Sequence, residues 1–155
     1  MADDDTLRSV TLKRTGLGRY EVRNARGGTM SVGVGDGADF TPVELLLAAL
    51  GGCTGADVDY ITSKRAEPES FVVHVTGHKV RDAAGGNRLA DLAIELSVTF
   101  PEGAAGDAAR KVLPRAAEMS HDRLCTVSRT VELGTPVDTR LGPGHQPAGI
   151  QPTGA

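Results

Sequence analysis

The segment from Thr41 to about Arg65 places the strongest constraint on the fold. Thr41-Pro42-Val43-Glu44 joins a Thr N-cap, a Pro at the first helical position and a Glu at N3, the pattern of a capping box. The helix it starts continues through Leu45-Leu46-Leu47-Ala48-Ala49-Leu50-Gly51-Gly52-Cys53, and its first half is apolar on every side. Such a helix predicts burial all round, hence a central position. Gly51-Gly52 costs about 1 kcal/mol of helix propensity per Gly relative to Ala. That loss makes sense if another backbone must approach closely, or if Cys53 needs open space beside it.

The rest of the chain reads as short strands and one further helical stretch. After a flexible, acidic start at residues 1–8, the alternation in Ser9–Lys13, Tyr20–Arg23 and Met30–Val34 predicts three strands in a meander, with Gly27-Gly28 at a turn. Phe71–Val80 and Leu89–Phe100 predict two more, joined by a hairpin over Asp82–Asn87. Ala104–Ser120 is helical in pattern, with Pro114 expected to kink it or to start a second helix. Thr126–Leu133 alternates as a final strand, and the Pro/Gly-rich tail over 142–155 lacks the apolar content to fold. The order β-β-β-α-β-β-α-β over residues 9–141 predicts a single α+β domain with sheets covering a buried helix. About six strands are too few to wrap that helix alone, so a homodimer sharing its central helices is expected.

Charge and composition exclude several classes. With 17 Lys+Arg against 20 Asp+Glu, the net charge of −3 draws the chain toward neither nucleic acid nor an anionic membrane. The most apolar stretch, Val43 to Gly52, is half the ~20 residues that span a bilayer, and the acidic first residues do not resemble a secretory signal, so a cytoplasmic protein is expected. Gly33-x-Gly35-x-Gly37 has the wrong spacing and context for a phosphate loop. His74 and His78 share a strand face but lack a third ligand, so no metal is expected, and His121 in the run His121-Asp122-Arg123 reads as a surface residue.

The 2 cysteines, Cys53 and Cys125, are 72 positions apart, which is neither a CxxC motif nor a zinc half-site. They read either as two buried thiols or, if they meet in a reducing compartment, as a transient catalytic pair.

Thr41-Pro42-x-Glu44-Leu45 through Gly51-Gly52-Cys53, followed by Leu124-Cys125-Thr126-Val127-Ser128, resembles the OsmC/Ohr family of osmotically inducible and organic hydroperoxide resistance proteins, over roughly residues 20–137. The resemblance implies an intertwined α+β homodimer and a thiol peroxidase without a cofactor. Cys53 would attack an organic hydroperoxide, Cys125 would resolve the sulfenic acid as a disulfide, and a small dithiol or lipoyl-type reductant would restore both thiols. It also implies an Arg from the meander, with Arg19 in the matching region and Arg23 and Arg26 as rivals, held by a Glu near the start of the helix. Here the sequence departs from the peroxidase pattern, because Val43 stands where that acid would be and Glu44 follows one position later. Glu44 already has a capping role, and nine residues on it is carried about 180° around a straight helix and ~13.5 Å along it from Cys53. Asp57, four residues after Cys53, shares its face and would raise the thiol pKa. Thr126 replaces the Pro often found after the second cysteine. These departures leave an alternative function within the same fold: a non-peroxidatic dimer that binds an apolar ligand or acts as a thiol redox sensor.

Overall fold

In a computed structural model describing residues 6–143, helix α1 (Pro42–Thr62) begins at the anticipated cap. The Thr41 N–H and hydroxyl both donate to Glu44 Oε2, at 2.7 and 2.8 Å, while Glu44 N–H donates back to Thr41 Oγ1 at 3.3 Å. Before α1 lies the antiparallel meander β1 (Val10–Gly16), β2 (Arg19–Asn24) and β3 (Thr29–Val32), in the order β1-β2-β3. After it come β4 (Ser70–Arg81) and β5 (Asn87–Thr99), paired antiparallel from Ser70↔Thr99 to Arg81↔Asn87. Their turn is closed by Asp82, whose carboxylate accepts from the N–H groups of Ala84 and Gly86 at 2.9 Å each. Helix α2 (Ala104–Met119), a π-helical turn (Ser120–Leu124) and helix α3 (Thr126–Glu132) complete the described chain.

The α+β class and the first seven elements agree with the sequence; the eighth does not. Thr126–Glu132 is a helix rather than the expected strand. Val127 and Val131 alternate with polar residues, but they are also four apart, a spacing that serves one face of a helix equally well. The Cys125 side chain decides for the helix by accepting the Ser128 N–H as an N-cap. Helix α2 also runs unbroken through Pro114, which starts no second helix there. Pro114 is exposed, so its ring displaces no packed neighbour. The tail lies mostly outside the described residues.

The buried residues of α1 are Leu50, Gly51, Thr54, Gly55, Val58 and Thr62, one face only, covered by the inward side chains of β4 and β5 and by α2 and α3. Burial all round is therefore not achieved within one chain: Val43 and Leu46 remain 40% and 37% exposed. Gly51 and Gly55 separate the two alternatives raised by the sequence. A Cβ on Gly51 would stand 2.7 Å from Val75 Cγ2 and one on Gly55 3.1 Å from Val73 Cγ2, so both glycines let β4 approach the helix. Gly52 faces open space.

The meander is amphipathic and makes no extended contact with the helices or with β4 and β5. Its register aligns Leu12, Val22 and Met30 across the three strands, with Tyr20 and Val32 alongside, and puts Lys13, Glu21 and Ser31 in another row on the opposite face. Leu12, Tyr20 and Met30 are exposed. Among the described residues, no helix is long and apolar enough to cross a membrane.

Candidate functional site

Cys53 and Cys125 meet where α1 passes the junction between the π-helical turn and α3. The turn delivers Cys125: its N–H donates to Ser120 C=O at 2.9 Å, five residues back, and Ser120 Oγ donates to Asp57 Oδ2 on α1 at 2.8 Å. Cys125 is fully buried, whereas Cys53 is partly exposed.

Polar groups converge on Cys125 Sγ. Ser128 N–H donates to it at 3.4 Å, Thr54 Oγ1 donates to it at 3.6 Å, and Ser128 Oγ lies 3.2 Å away. The Cys53 thiol lies close enough to act on it electrostatically. Burial works to raise the Cys125 pKa, but hydrogen bonds from the Ser128 hydroxyl and N–H, from Cys53 and from Thr54 outweigh it and hold it below the ordinary thiol value. For Cys53 the balance is reversed. Burial foremost, then the Cys125 thiol and the Asp57 charge, push it up, and a hydrogen bond from the Val127 backbone offsets only part of this.

The side chains of Arg19, Arg23 and Glu44 are engaged elsewhere within the chain. Arg19 pairs with Asp36 at 2.8 Å and lies 3.7 Å from Asp39. Arg23 pairs with Glu21 at 2.7 Å. Arg26 donates its backbone N–H to Asn24 Oδ1 at the β2–β3 turn. Glu44 closes the cap of α1, and those hydrogen bonds lower its pKa. His74 and His78 are exposed on β4, and among the described residues no cluster of three His, Cys, Asp or Glu forms a metal site. His121 lies 3.6 Å from Glu132 across the π-helical turn and α3.

Thr54, Ser120 and Ser128 are the polar partners that the sequence did not single out. Only Ser128 carried a local signal, because Cys125-x-x-Ser128 has the spacing of a cap and its N3 residue. Beside the pair lies an apolar cavity of about 320 Å³, walled by Leu50, Leu92, Ile94 and Leu96, with Thr54, Ser128, His121 and Glu132 also in its lining.

The chain is an antiparallel α+β fold in which the 21-residue helix α1 carries one thiol alongside a second, buried thiol held among hydroxyl groups. A family model described as OsmC-like protein matches residues 35–140, and the chain belongs to that family. A protein of Mycobacterium tuberculosis, described only as uncharacterised, is 34% identical over 137 residues, spanning 87% of this chain and 96% of that protein. Among solved structures, an OsmC-like protein of unknown function from Vibrio cholerae superposes with a TM-score of 0.69 at 16% identity, covering 82% of this chain and 94% of that one. An organic hydroperoxide resistance protein from Legionella pneumophila superposes at 0.56 with 15% identity, covering 81% and 88%. At these identities the two structures attest the fold.

Proposed function

We propose that the protein reduces organic hydroperoxides through the Cys53–Cys125 pair. The observation that carries this reading is the meeting of two thiols, 72 positions apart in sequence, at one polar point in an apolar surround. Cys53, the partly exposed member, attacks the hydroperoxide as a thiolate, becoming a sulfenic acid as the O–O bond breaks and an alcohol leaves. Cys125 then attacks the Cys53 sulfur, forming the disulfide and releasing water. Two electrons pass from the thiols to the peroxide, so the balance calls for no metal or flavin. A small dithiol of lipoyl type restores both thiols by exchange in a reducing cytoplasm. The neighbouring apolar cavity supports an organic substrate over hydrogen peroxide. A homodimer is part of the reading, because the apolar face of the meander and the first half of α1 are left uncovered.

The cavity also favours a second reading, in which an apolar ligand binds without turnover. Anaerobic mixing of the reduced protein with excess cumene hydroperoxide separates the two. Peroxidase chemistry predicts rapid loss of both thiols and of two hydrogens by intact mass, with Cys53→Ser inert and Cys125→Ser stalled at an oxygen adduct. Retention of both thiols over minutes leaves only the binding reading.

A further inference from the structure

Ser120 is fully buried, and a buried hydroxyl needs a hydrogen-bond partner. At the end of a helix the nearest acceptor is the carbonyl four residues back, the usual recipient of a serine side chain there. In this chain the Ser120 N–H takes that direction, toward the carbonyls of Ala116 and Ala117. The hydroxyl instead crosses to α1 and donates to Asp57 Oδ2 at 2.8 Å, over 63 positions of sequence. The Ser120 carbonyl meanwhile accepts the Cys125 N–H at 2.9 Å, the five-residue bond that closes the π-helical turn. Turns of this kind are rare and are found mostly at functional sites. One residue therefore ties the main chain of Cys125 to the helix that carries Cys53.

Resting on the two-thiol reading above, we propose that Ser120 is a positioning residue for the resolving step: through Asp57 it clamps the π-helical turn to α1 and so sets the reach of Cys125 toward Cys53. Asp57 lies four residues beyond Cys53 on the same face of α1, so the clamp acts one helical turn from the thiol. Thr54, next to Cys53, makes a second tie between the same elements by donating its hydroxyl to Cys125 Sγ at 3.6 Å. The two ties differ in what becomes of them. In the resolving step Cys125, as a thiolate, attacks the Cys53 sulfenic sulfur. The S–S bond forms, the S–O bond breaks, and hydroxide leaves and takes up the proton that Cys125 gave, as water. The hydroperoxide consumed in the preceding step is the oxidant, and no other is called for. Attack engages the sulfur that Thr54 and Ser128 hold, whereas the bond between Ser120 and Asp57 involves neither sulfur and persists throughout. Slow resolution leaves Cys53 open to a second hydroperoxide, which converts the sulfenic acid to a sulfinic acid that exchange with thiols does not reverse.

The test uses the full-length reduced protein and separates the two steps at Cys53. One equivalent of cumene hydroperoxide starts a single turnover, a dimedone-type probe traps the sulfenic acid, and N-ethylmaleimide marks the remaining thiols for peptide mass spectrometry. Ser120→Ala is expected to form the sulfenic acid at the wild-type rate but to close the disulfide about tenfold or more slowly, the order of loss expected for a misplaced reacting group. In excess hydroperoxide it should collect sulfinic acid at Cys53 where the wild type collects disulfide. Asp57→Ala, at a half-buried position, is expected to slow closure likewise and decides the matter if Ser120→Ala folds poorly. Asp57→Asn keeps an acceptor for the Ser120 hydroxyl and is expected to restore closure relative to Asp57→Ala. The double variant Ser120→Ala/Asp57→Ala should close no more slowly than either single one, because both remove the same bond.

Closure at the wild-type rate in both Ser120→Ala and Asp57→Ala overturns the proposal. So does an Asp57→Asn variant that closes as slowly as Asp57→Ala, or a Ser120→Ala variant in which both steps slow to the same extent. If the wild type keeps both thiols in hydroperoxide, the peroxidase reading fails by itself. Attack of Cys125 on a mixed disulfide between Cys53 and glutathione, started with oxidised glutathione, then reads the clamp without peroxide. Slower release of glutathione from Ser120→Ala than from the wild type sustains the proposal, and equal release overturns it.

Discussion

Asp57 and Glu44 are both carboxylates on α1, yet their surroundings give them opposite relations to the thiols. Asp57 lies one turn beyond Cys53, raises its pKa through charge, and accepts from Ser120 Oγ at 2.8 Å. Asp57→Asn keeps an acceptor for Ser120 and removes the charge, so Cys53 alkylation is expected to move to lower pH and to run a few-fold faster at pH 7. An unchanged profile would show that Asp57 does not act on Cys53 electrostatically. Glu44 works through the cap instead. Its pKa is lowered in the folded state, so its contribution to stability is present above the unfolded carboxylate pKa and fades as the pH falls through the lower, folded one. Glu44→Gln should therefore melt below the wild type at pH 7, with the gap in Tm narrowing toward strongly acidic pH, while Cys53 alkylation stays as it was. A gap that persists unchanged in acid would assign the loss to something other than the charged cap. The cap was legible because all its parts lie within four residues. The hydroxyl cage around Cys125 was not, because Thr54 reaches it across 71 positions and a cysteine is an unusual helix cap.

At the scale of elements, the contrast between adjacent glycines shows how α1 is fitted to its sheet. Gly51→Ala would put a methyl 2.7 Å from Val75 Cγ2 and 3.3 Å from Val73 Cγ1, and overpacking of this kind is expected to cost about 1–3 kcal/mol. Gly52→Ala meets nothing within 4 Å in the chain, so helix propensity predicts a gain of about 1 kcal/mol in the absence of a partner on that side. Chemical denaturation of the two variants checks both signs; equal losses would mean that Gly52 is also closely approached in the native assembly. The sequence pattern recovered α1 and the five strands because caps, turns and period-two alternation all agreed there. It misassigned α3 because a seven-residue segment with Val127 and Val131 satisfies a strand and a helix alike, and the deciding interaction is the Ser128 N–H to Cys125 Sγ hydrogen bond. The second helix expected at Pro114 does not form, because α2 continues through it and forgoes only the hydrogen bond that the missing N–H cannot donate.

For the whole molecule, the apolar side chains that the described residues leave exposed are organised. One face of the meander carries Val10, Leu12, Tyr20 and Met30 in the open, and α1 exposes Val43 and Leu46. A three-stranded sheet with one apolar face is stable only when that face is covered, and a second copy of the chain offers an uncovered apolar face of its own. The proposed homodimer then predicts that light scattering during gel filtration gives twice 16.1 kDa at micromolar concentration. Leu12→Lys, at the β1 end of the apolar row formed with Val22 and Met30, should shift the protein toward monomer and lower its Tm, because a charge would enter the shared core. Lys13→Gln, one residue away on the opposite face, should change neither. A wild type that remains monomeric, or a Leu12→Lys variant that stays dimeric with full stability, would remove the apolar meander from the interface and require some other cover for α1.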